Sequence, residues 1–291
     1  MRKPSTYISE SIVEEITQTI NSKLDKCGLY YRIFARSKTD ESIEKKLAKK
    51  NYNRENNYLM QDFIGVRIAL YFYDDIPICK QIIYNHFQVV DESVSKQDST
   101  TFSPVVLNLV CKIPEETLSL IDSQLWNDYL FDKTFEIQIR TIFSEGWHEI
   151  DHDIRYKCKQ DWDEHKDLDR NLNGILATLE TCDWSIVGLI NDLAYREYKG
   201  KQWPEMLKNK LRVHLVDAHL RDEILRLFDG DNELAKQFYR FDRRDLLIYM
   251  SGVKNKLPLN ANNMVYLINH LFVHNEEIIK LTPPALYNIL G

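Results

Sequence analysis

Residues 63–73 read FIGVRIALYFY, eleven positions with Arg67 as the single charged side chain. A run this short, this apolar and this rich in β-branched and aromatic residues predicts a strand buried on both faces, and a buried strand obliges the chain to build a sheet around it. PVVLNLVCKI (104–113) predicts a second strand and FEIQIRT (135–141) a third. The third alternates: Phe135, Ile137 and Ile139 fall on one face, and Glu136, Gln138 and Arg140 on the other. Between the strands, DIPICKQIIYNHF predicts a helix starting near Pro77, and PEETLSLIDSQLWNDYL predicts another.

The flanks are helical in pattern. Residues 8–26 carry apolar residues at helical spacing, and Gly28 follows to end the helix. LYYRIFAR suits a strand or an extended entry into the next segment. Ser42 to Lys50 predicts a helix, with Ser42 as its N-cap and Lys46 and Lys50 on one face. Helical patterns resume near Ile142 and over 168–195, and GKQWP (200–204) then breaks the chain. The expected class is therefore α+β: a β-sheet flanked by helices over 1–198, followed by an all-helical module over 199–291.

Composition narrows the functions open to such a fold. Apolar residues at 44% and charged residues at 28% describe a soluble globular chain, and no apolar run reaches the length of a membrane span. The N-terminal residues lack the apolar core of a signal peptide. The five cysteines are odd in number, scattered and never spaced CxxC, which argues against a disulfide scaffold or structural zinc and for a reducing, cytoplasmic setting. A net charge of −6 argues against a general nucleic-acid coat. Yet between Arg32 and Arg54 eight basic residues stand against three acids, a concentration that suits a polyphosphate or a nucleic-acid end, or a solvated helix face.

The polar face of FEIQIRT sets a carboxylate, an amide and a guanidinium side by side. Unpaired charges facing a core are costly, so this face borders water, a partner or a site; a solvent-exposed edge strand is the plainer alternative. Asp62, in MQDFIGVRI, stands at the mouth of the most apolar strand, where packing has no use for a carboxylate and a turn or N-cap does. Two carboxylates at the ends of neighbouring strands, facing lysines and arginines, would make a magnesium–polyphosphate site, since magnesium takes hard oxygen ligands from one or two carboxylates and from the phosphates themselves.

RSKTDESIEKKLAKK, QDFIGVRIALYFYDDI and FEIQIRTIFSEGWHEIDHDIRYK, in that order and at this spacing, resemble the RelA/SpoT synthetase domain, and the resemblance covers roughly residues 10–198. Each motif alone is weak; the ordered set is specific. The HExxH string His148-Glu149-Ile150-Asp151-His152 falls inside the family's segment after ExQxRT. A metzincin continuation would also need Gly at 155 and His at 158, where the chain has Arg155 and Cys158.

The resemblance implies a nucleotidyltransferase-like mixed sheet and an ATP-dependent pyrophosphokinase. Such an enzyme moves the β,γ-diphosphate of ATP, with Mg2+, to the 3′-hydroxyl of a guanosine nucleotide and releases AMP. It implies Arg36, Lys38, Lys46 and Arg67 as ATP contacts, with Arg36 near the adenine. Asp62 and Glu136 become the catalytic and metal-holding carboxylates, with Glu136 holding metal or taking the proton of the attacking hydroxyl. Phe102, Gln138, Arg140 and His152 become acceptor contacts. His152 is equally read as a plain helix histidine, and Trp147, Ile150 and Ile154 as core.

The family's acceptor loop reads GYxSxH, with a lysine four residues ahead of the tyrosine. Here DSTTFSPVV puts Phe102 at the tyrosine, Thr101 at Gly, Pro104 at Ser, Val106 at His and Asp98 at the lysine. A phenyl ring can still stack on a base. Three readings follow: a conventional alarmone synthetase using GDP or GTP, a toxin-type synthetase acting on the tRNA 3′ end or an adenosine nucleotide, and a silent binding protein on the same fold. Residues 199–291 carry no catalytic constellation. They suit homo-oligomerisation or a regulatory partner, with Phe238, Tyr239, Phe241 and Tyr249 serving either a core or a partner surface.

Overall fold

The structure, a computed structural model, describes residues 3, 4, 7, 10–94, 106–254 and 257–286. They form two compact units, one of residues up to Ser22 with Tyr31–Asp183, the other of Lys23–Tyr30 with Trp184 onward. The first is built on a five-stranded sheet of order β1-β2-β5-β4-β3. Its strands are β1 (Tyr31–Ser37), β2 (Ile64–Leu70), β3 (Val89–Val94), β4 (Leu107–Lys112) and β5 (Thr134–Thr141). β2 and β5 run parallel and every other pair antiparallel, so the sheet is mixed as expected.

Alternation decides which face is core. Ile64, Val66, Ile68 and Leu70 of β2, Phe135, Ile137 and Ile139 of β5, and Leu109 and Cys111 of β4 are wholly buried. Each large apolar side chain among them contributes about 1.5–3 kcal/mol by leaving water. Ile12, Ile16 and Ile20 of α1 (Glu10–Cys27) and Ile78, Ile82 and Ile83 of α3 (Ile76–His86) are buried at helical spacing.

Four expectations change. The N-cap of α2 (Asp40–Lys49) is Thr39, whose hydroxyl accepts from the Ser42 amide; Ser42 lies inside the helix. β3 had no apolar alternation to betray it, because it is an edge strand exposed along nearly its whole length. PEETLSLIDSQLWNDYL is two short helices, α4 (Glu115–Leu118) and α5 (Gln124–Asp128). Asp122 turns the chain between them by accepting from the Gln124 amide at 2.9 Å. Finally, α6 (Ile142–Ile150) runs into a π-helical turn, Asp151–Tyr156, before α7 (Lys159–Trp162). The wider turn breaks the 3.6-residue phase, and of the three residues expected in the core Trp147 is buried while Ile150, at the end of α6, and Ile154, in the turn, are exposed.

Every element of the second unit longer than an isolated bridge is a helix among its described residues. α8 (Lys166–Lys199) stops at the expected Gly200 break, but the division between units falls inside this helix. Five helices then follow: α9 (Trp203–Leu211), α10 (Asp222–Gly230), α11 (Asn232–Arg240), α12 (Arg243–Gly252) and α13 (Ala261–Ile268). A π-helical turn, Asn269–Val273, leads to α14 (Glu276–Leu281). Lys23–Tyr30 joins this unit through specific bonds: the Gly28 carbonyl accepts from the His214 amide at 2.8 Å, and Tyr30 packs on His214 with ring centroids 3.8 Å apart. Gly28 has φ +67°, a left-handed conformation that strains most other residues, and a Cβ there would meet the Leu259 side chain at 2.7 Å, so the position favours glycine. Phe238 and Phe241 are core residues. Among the described residues, no helix is long and apolar enough to cross a membrane.

Candidate active site

The face of the sheet opposite the core carries the polar residues of β1, β2 and β5. Strand register puts Arg36 opposite Gly65 and Gly65 opposite Glu136; the next row runs Phe34, Arg67, Gln138 and Asn108. Because Gly65 has no side chain, Arg36 and Glu136 face each other across a trough. A Cβ built on Gly65 would meet nothing within 4 Å. A cleft of about 490 Å³ opens here, lined by Phe34, Arg36, Lys38, Gly65, Arg67, Glu136 and Gln138 from the sheet, and by Glu145 and Glu149 among others from α6.

At one end of the trough the turn into β2 brings Asp62 to the basic segment. The Lys38 amide donates to the Phe63 carbonyl at 2.8 Å, tying the end of β1 to the start of β2. The Asp62 carboxylate then receives Lys38 at 3.2 Å and the Lys46 ammonium from α2. Burial alone would raise the Asp62 carboxyl, but the Lys46 hydrogen bond and the charges of both lysines hold it below the ordinary carboxylate value. Glu136 moves the other way: burial and the Asp62 charge raise it, against the pull of Lys38, Lys46 and a hydrogen bond from Gln138. Tyr52 stands by the same carboxylate; burial and the Asp62 charge push its phenol up to about 12, so it stays a donor.

Asp62 and Glu136 are an apt donor set for magnesium. Both are carboxylates, Glu136 is burdened by the Asp62 charge, and Asp62 Oδ1 is buried without a hydrogen-bond partner. A hard divalent cation completed by phosphate oxygens would satisfy both features.

At the other end, the remaining polar side chains hold one another. Arg67 lies between Glu145, at 3.1 Å, and Glu149. Arg140, only 2% exposed, pairs with Glu145 at 3.1 Å and donates to Gln138 Oε1 at 2.7 Å, while Gln138 in turn bonds Glu136. A chain of contacts therefore runs Glu145–Arg140–Gln138–Glu136. Arg140, expected on a face open to an acceptor, is buried beneath that face.

The expected donor residues Arg36, Lys38 and Arg67 thus line one cleft with Glu136 and Gln138, and Lys46 and Asp62 adjoin it. His152 lies outside the cleft lining, bonded to Asp153 at 2.9 Å and stacked between His148 and Tyr156. His148 is neutral, lowered to about 4 by burial and by the Arg140 and Arg67 charges. Among the described residues, no three His, Cys, Asp or Glu side chains converge on a metal-sized site. Phe102 lies outside the described residues. The sequence reading missed Phe34, Glu145 and Gly65 as lining residues. The available signals were a phenylalanine in the same alternating row as Arg32 and Arg36 and a glycine inside an apolar strand.

Residues 35–161, which carry every cleft-lining residue named above except Phe34, match the profile described as the region found in RelA / SpoT proteins. Over 127 residues the chain is 31% identical to GTP pyrophosphokinase YjbM of Bacillus subtilis, a stretch that covers 43% of this chain and 56% of that protein. The chain therefore spans little more than half of that relative. Among solved structures, small alarmone synthetase 1 of Bacillus subtilis aligns with a TM-score of 0.49 at 23% identity, covering 65% of this chain and 94% of that one. A GTP pyrophosphokinase family protein of Streptococcus pneumoniae aligns with a TM-score of 0.48 at 20% identity, covering 63% and 89%.

Proposed function

We propose that the chain is an ATP-dependent pyrophosphokinase that transfers the β,γ-diphosphate of ATP to the 3′-hydroxyl of a guanosine nucleotide, GDP or GTP, forming (p)ppGpp and releasing AMP. One observation carries this reading. Two carboxylates, Asp62 and Glu136, meet Lys38 and Lys46 at the end of a cleft that also holds Arg36 and Arg67. The RelA/SpoT region over these residues and the relative named GTP pyrophosphokinase support it.

In the reaction, the acceptor's 3′-oxygen forms a bond to the β-phosphorus and the bond to the α,β-bridging oxygen breaks, its electron pair leaving with AMP. Lys38 and Lys46 hold the transferred phosphates in line for the attack. Glu136, whose proton affinity burial has raised, accepts the hydroxyl proton, and the Arg140–Gln138 contact keeps it oriented. Asp62 would hold magnesium, which when bound neutralises charge developing on the phosphates; Glu136 is its alternative ligand where it does not take the proton.

The departures of DSTTFSPVV from the family's acceptor loop favour a second reading, with the tRNA 3′ end or an adenosine nucleotide as acceptor. ATP labelled on the γ-phosphate, offered with GDP, GTP, ATP or bulk tRNA, separates the two. Label is expected on a guanosine nucleotide, and Asp62→Asn with Glu136→Gln lowers transfer by at least about 100-fold. Label on tRNA alone moves the chain to the second reading. Transfer undiminished in the double variant refutes the site.

A further inference from the structure

Of the aromatic residues that suit either a core or a partner surface, Phe238 and Phe241 are buried and Tyr239, on α11, is half-exposed. Tyr239 meets two tyrosines from the last turns of α8, all three within the second unit. Its ring stacks on Tyr198 with centroids 4.8 Å apart and planes 19° apart, and Tyr195, 44% exposed, lies 6.1 Å from it. Two lysines sit against these rings. Lys199 lies over Tyr195 and Tyr198 at 5.6 and 5.9 Å, and Lys210 of α9 over Tyr239 at 5.4 Å.

Positive charge gathers at the same face. From Tyr195 to Arg212 six basic residues stand against two acids, in a chain whose net charge is −6. One of those acids, Glu197, is buried and held by Asn209 at 2.9 Å. Asp192, whose charge reaches Tyr239, is paired with Arg196 at 2.7 Å. Burial and the charges of Arg212 and Arg243 lower the Lys210 ammonium, opposed by Asp242, which also caps α12. A positive cluster so short of counter-charge is relieved by an anion.

We infer that the face of Tyr195, Tyr198 and Tyr239 binds a single strand of nucleic acid, its bases on the rings and its phosphates on Lys199, Lys210 and the exposed Arg240. The inference goes beyond the pyrophosphokinase reading and does not depend on it, for none of these residues lines the cleft. Rings interleaved with cations are what a single strand uses, since bases stack on aromatic faces while phosphates pair with the cations. An acidic peptide would engage the lysines and leave the rings idle, and a duplex keeps its base faces hidden. A stacked base outweighs a cation–π contact at an exposed site, so the base takes the ring and the ammonium turns to the adjoining phosphate. Stacking and phosphate pairing do not select the sugar, so ribose and deoxyribose strands should bind alike.

The test is fluorescence anisotropy of a labelled oligouridylate of about 12 nucleotides, its deoxyribose counterpart, a duplex of the same length and a poly-glutamate peptide. Each is titrated with the full chain and with its Tyr195→Ala, Tyr195→Trp and Lys199→Gln variants, and thermal unfolding checks that each variant folds. Both single strands should bind more tightly than the duplex or the peptide. Tyr195→Ala should weaken strand binding about 10-fold and Tyr195→Trp should keep wild-type affinity. Lys199→Gln should weaken it too, and reduce the slope of log affinity against log salt by about 0.7. A wild-type chain that binds no strand overturns the inference, as does strand binding that Tyr195→Ala leaves unchanged. Tighter binding of poly-glutamate, lost in Lys199→Gln and kept in Tyr195→Ala, overturns it in favour of an acidic protein partner. Strand binding that survives both substitutions but is lost in Lys46→Gln overturns it by placing the strand in the cleft.

Discussion

Glu145 is the residue on which the far end of the cleft depends. One carboxylate, 10% exposed, serves two guanidiniums, Arg67 on one oxygen and the nearly buried Arg140 on the other. Removing its charge leaves the buried Arg140 without its ion-pair partner, the case in which breaking a buried pair costs most. Glu145→Gln should therefore cost about 3 kcal/mol and lower Tm by roughly 5–10 °C. Glu149→Gln removes a partner that is half exposed and should cost under ~1 kcal/mol. Equal losses in the two variants would show that Arg140 does not rely on Glu145. At this scale the sequence was informative about residue types and poor about partners. Asp62 and Glu136 stood out because packing had no use for them. Gln138 and Arg140 were equally visible, but alternation says only which side of a strand a residue takes. It could not say that Arg140 would be covered by α6 and turned inward upon Glu145.

Among the elements, β2 and its Gly65 tie fold to function most closely. A glycine in a central strand normally weakens it, and here the neighbouring strands leave its Cβ direction empty. Gly65→Val should hold or raise Tm, since a β-branched residue suits a strand and its Cβ would meet no atom within 4 Å. The same substitution fills the trough between Arg36 and Glu136 and should weaken binding of a non-hydrolysable ATP analogue at least about 10-fold. A variant that is stable and binds normally would place the nucleotide elsewhere. The strongly patterned elements, β2, β4, β5 and α1, were legible because the hydrophobic effect writes its period into the chain. β3 was not, for an edge strand facing water has no apolar phase to keep. The π-helical turn after α6 was hidden too, because 3.6-residue spacing assumes the backbone it was meant to reveal.

For the whole molecule, the sequence placed a domain boundary at Gly200; α8 ends there, but the two compact units divide inside that helix, between Asp183 and Trp184. Local pattern could not reveal that Lys23–Tyr30 belongs with the helices far along the chain, since the evidence for that is a set of tertiary contacts such as Gly28 with His214 and Cys27 with the Leu247 carbonyl. The central claim for the whole is chemical: the Asp62–Glu136 end of the cleft moves two phosphates as one unit. The most direct measurement is 31P NMR of the full chain with magnesium, ATP and GDP, followed until the ATP resonances decay. The account predicts that AMP appears in equal amount with a guanosine nucleotide bearing a new diphosphate on its 3′-oxygen, and that neither ADP nor inorganic phosphate accumulates. ADP with free phosphate as the products, or ADP with a singly phosphorylated acceptor, would contradict it by showing that the bond broken lies at the γ-phosphorus.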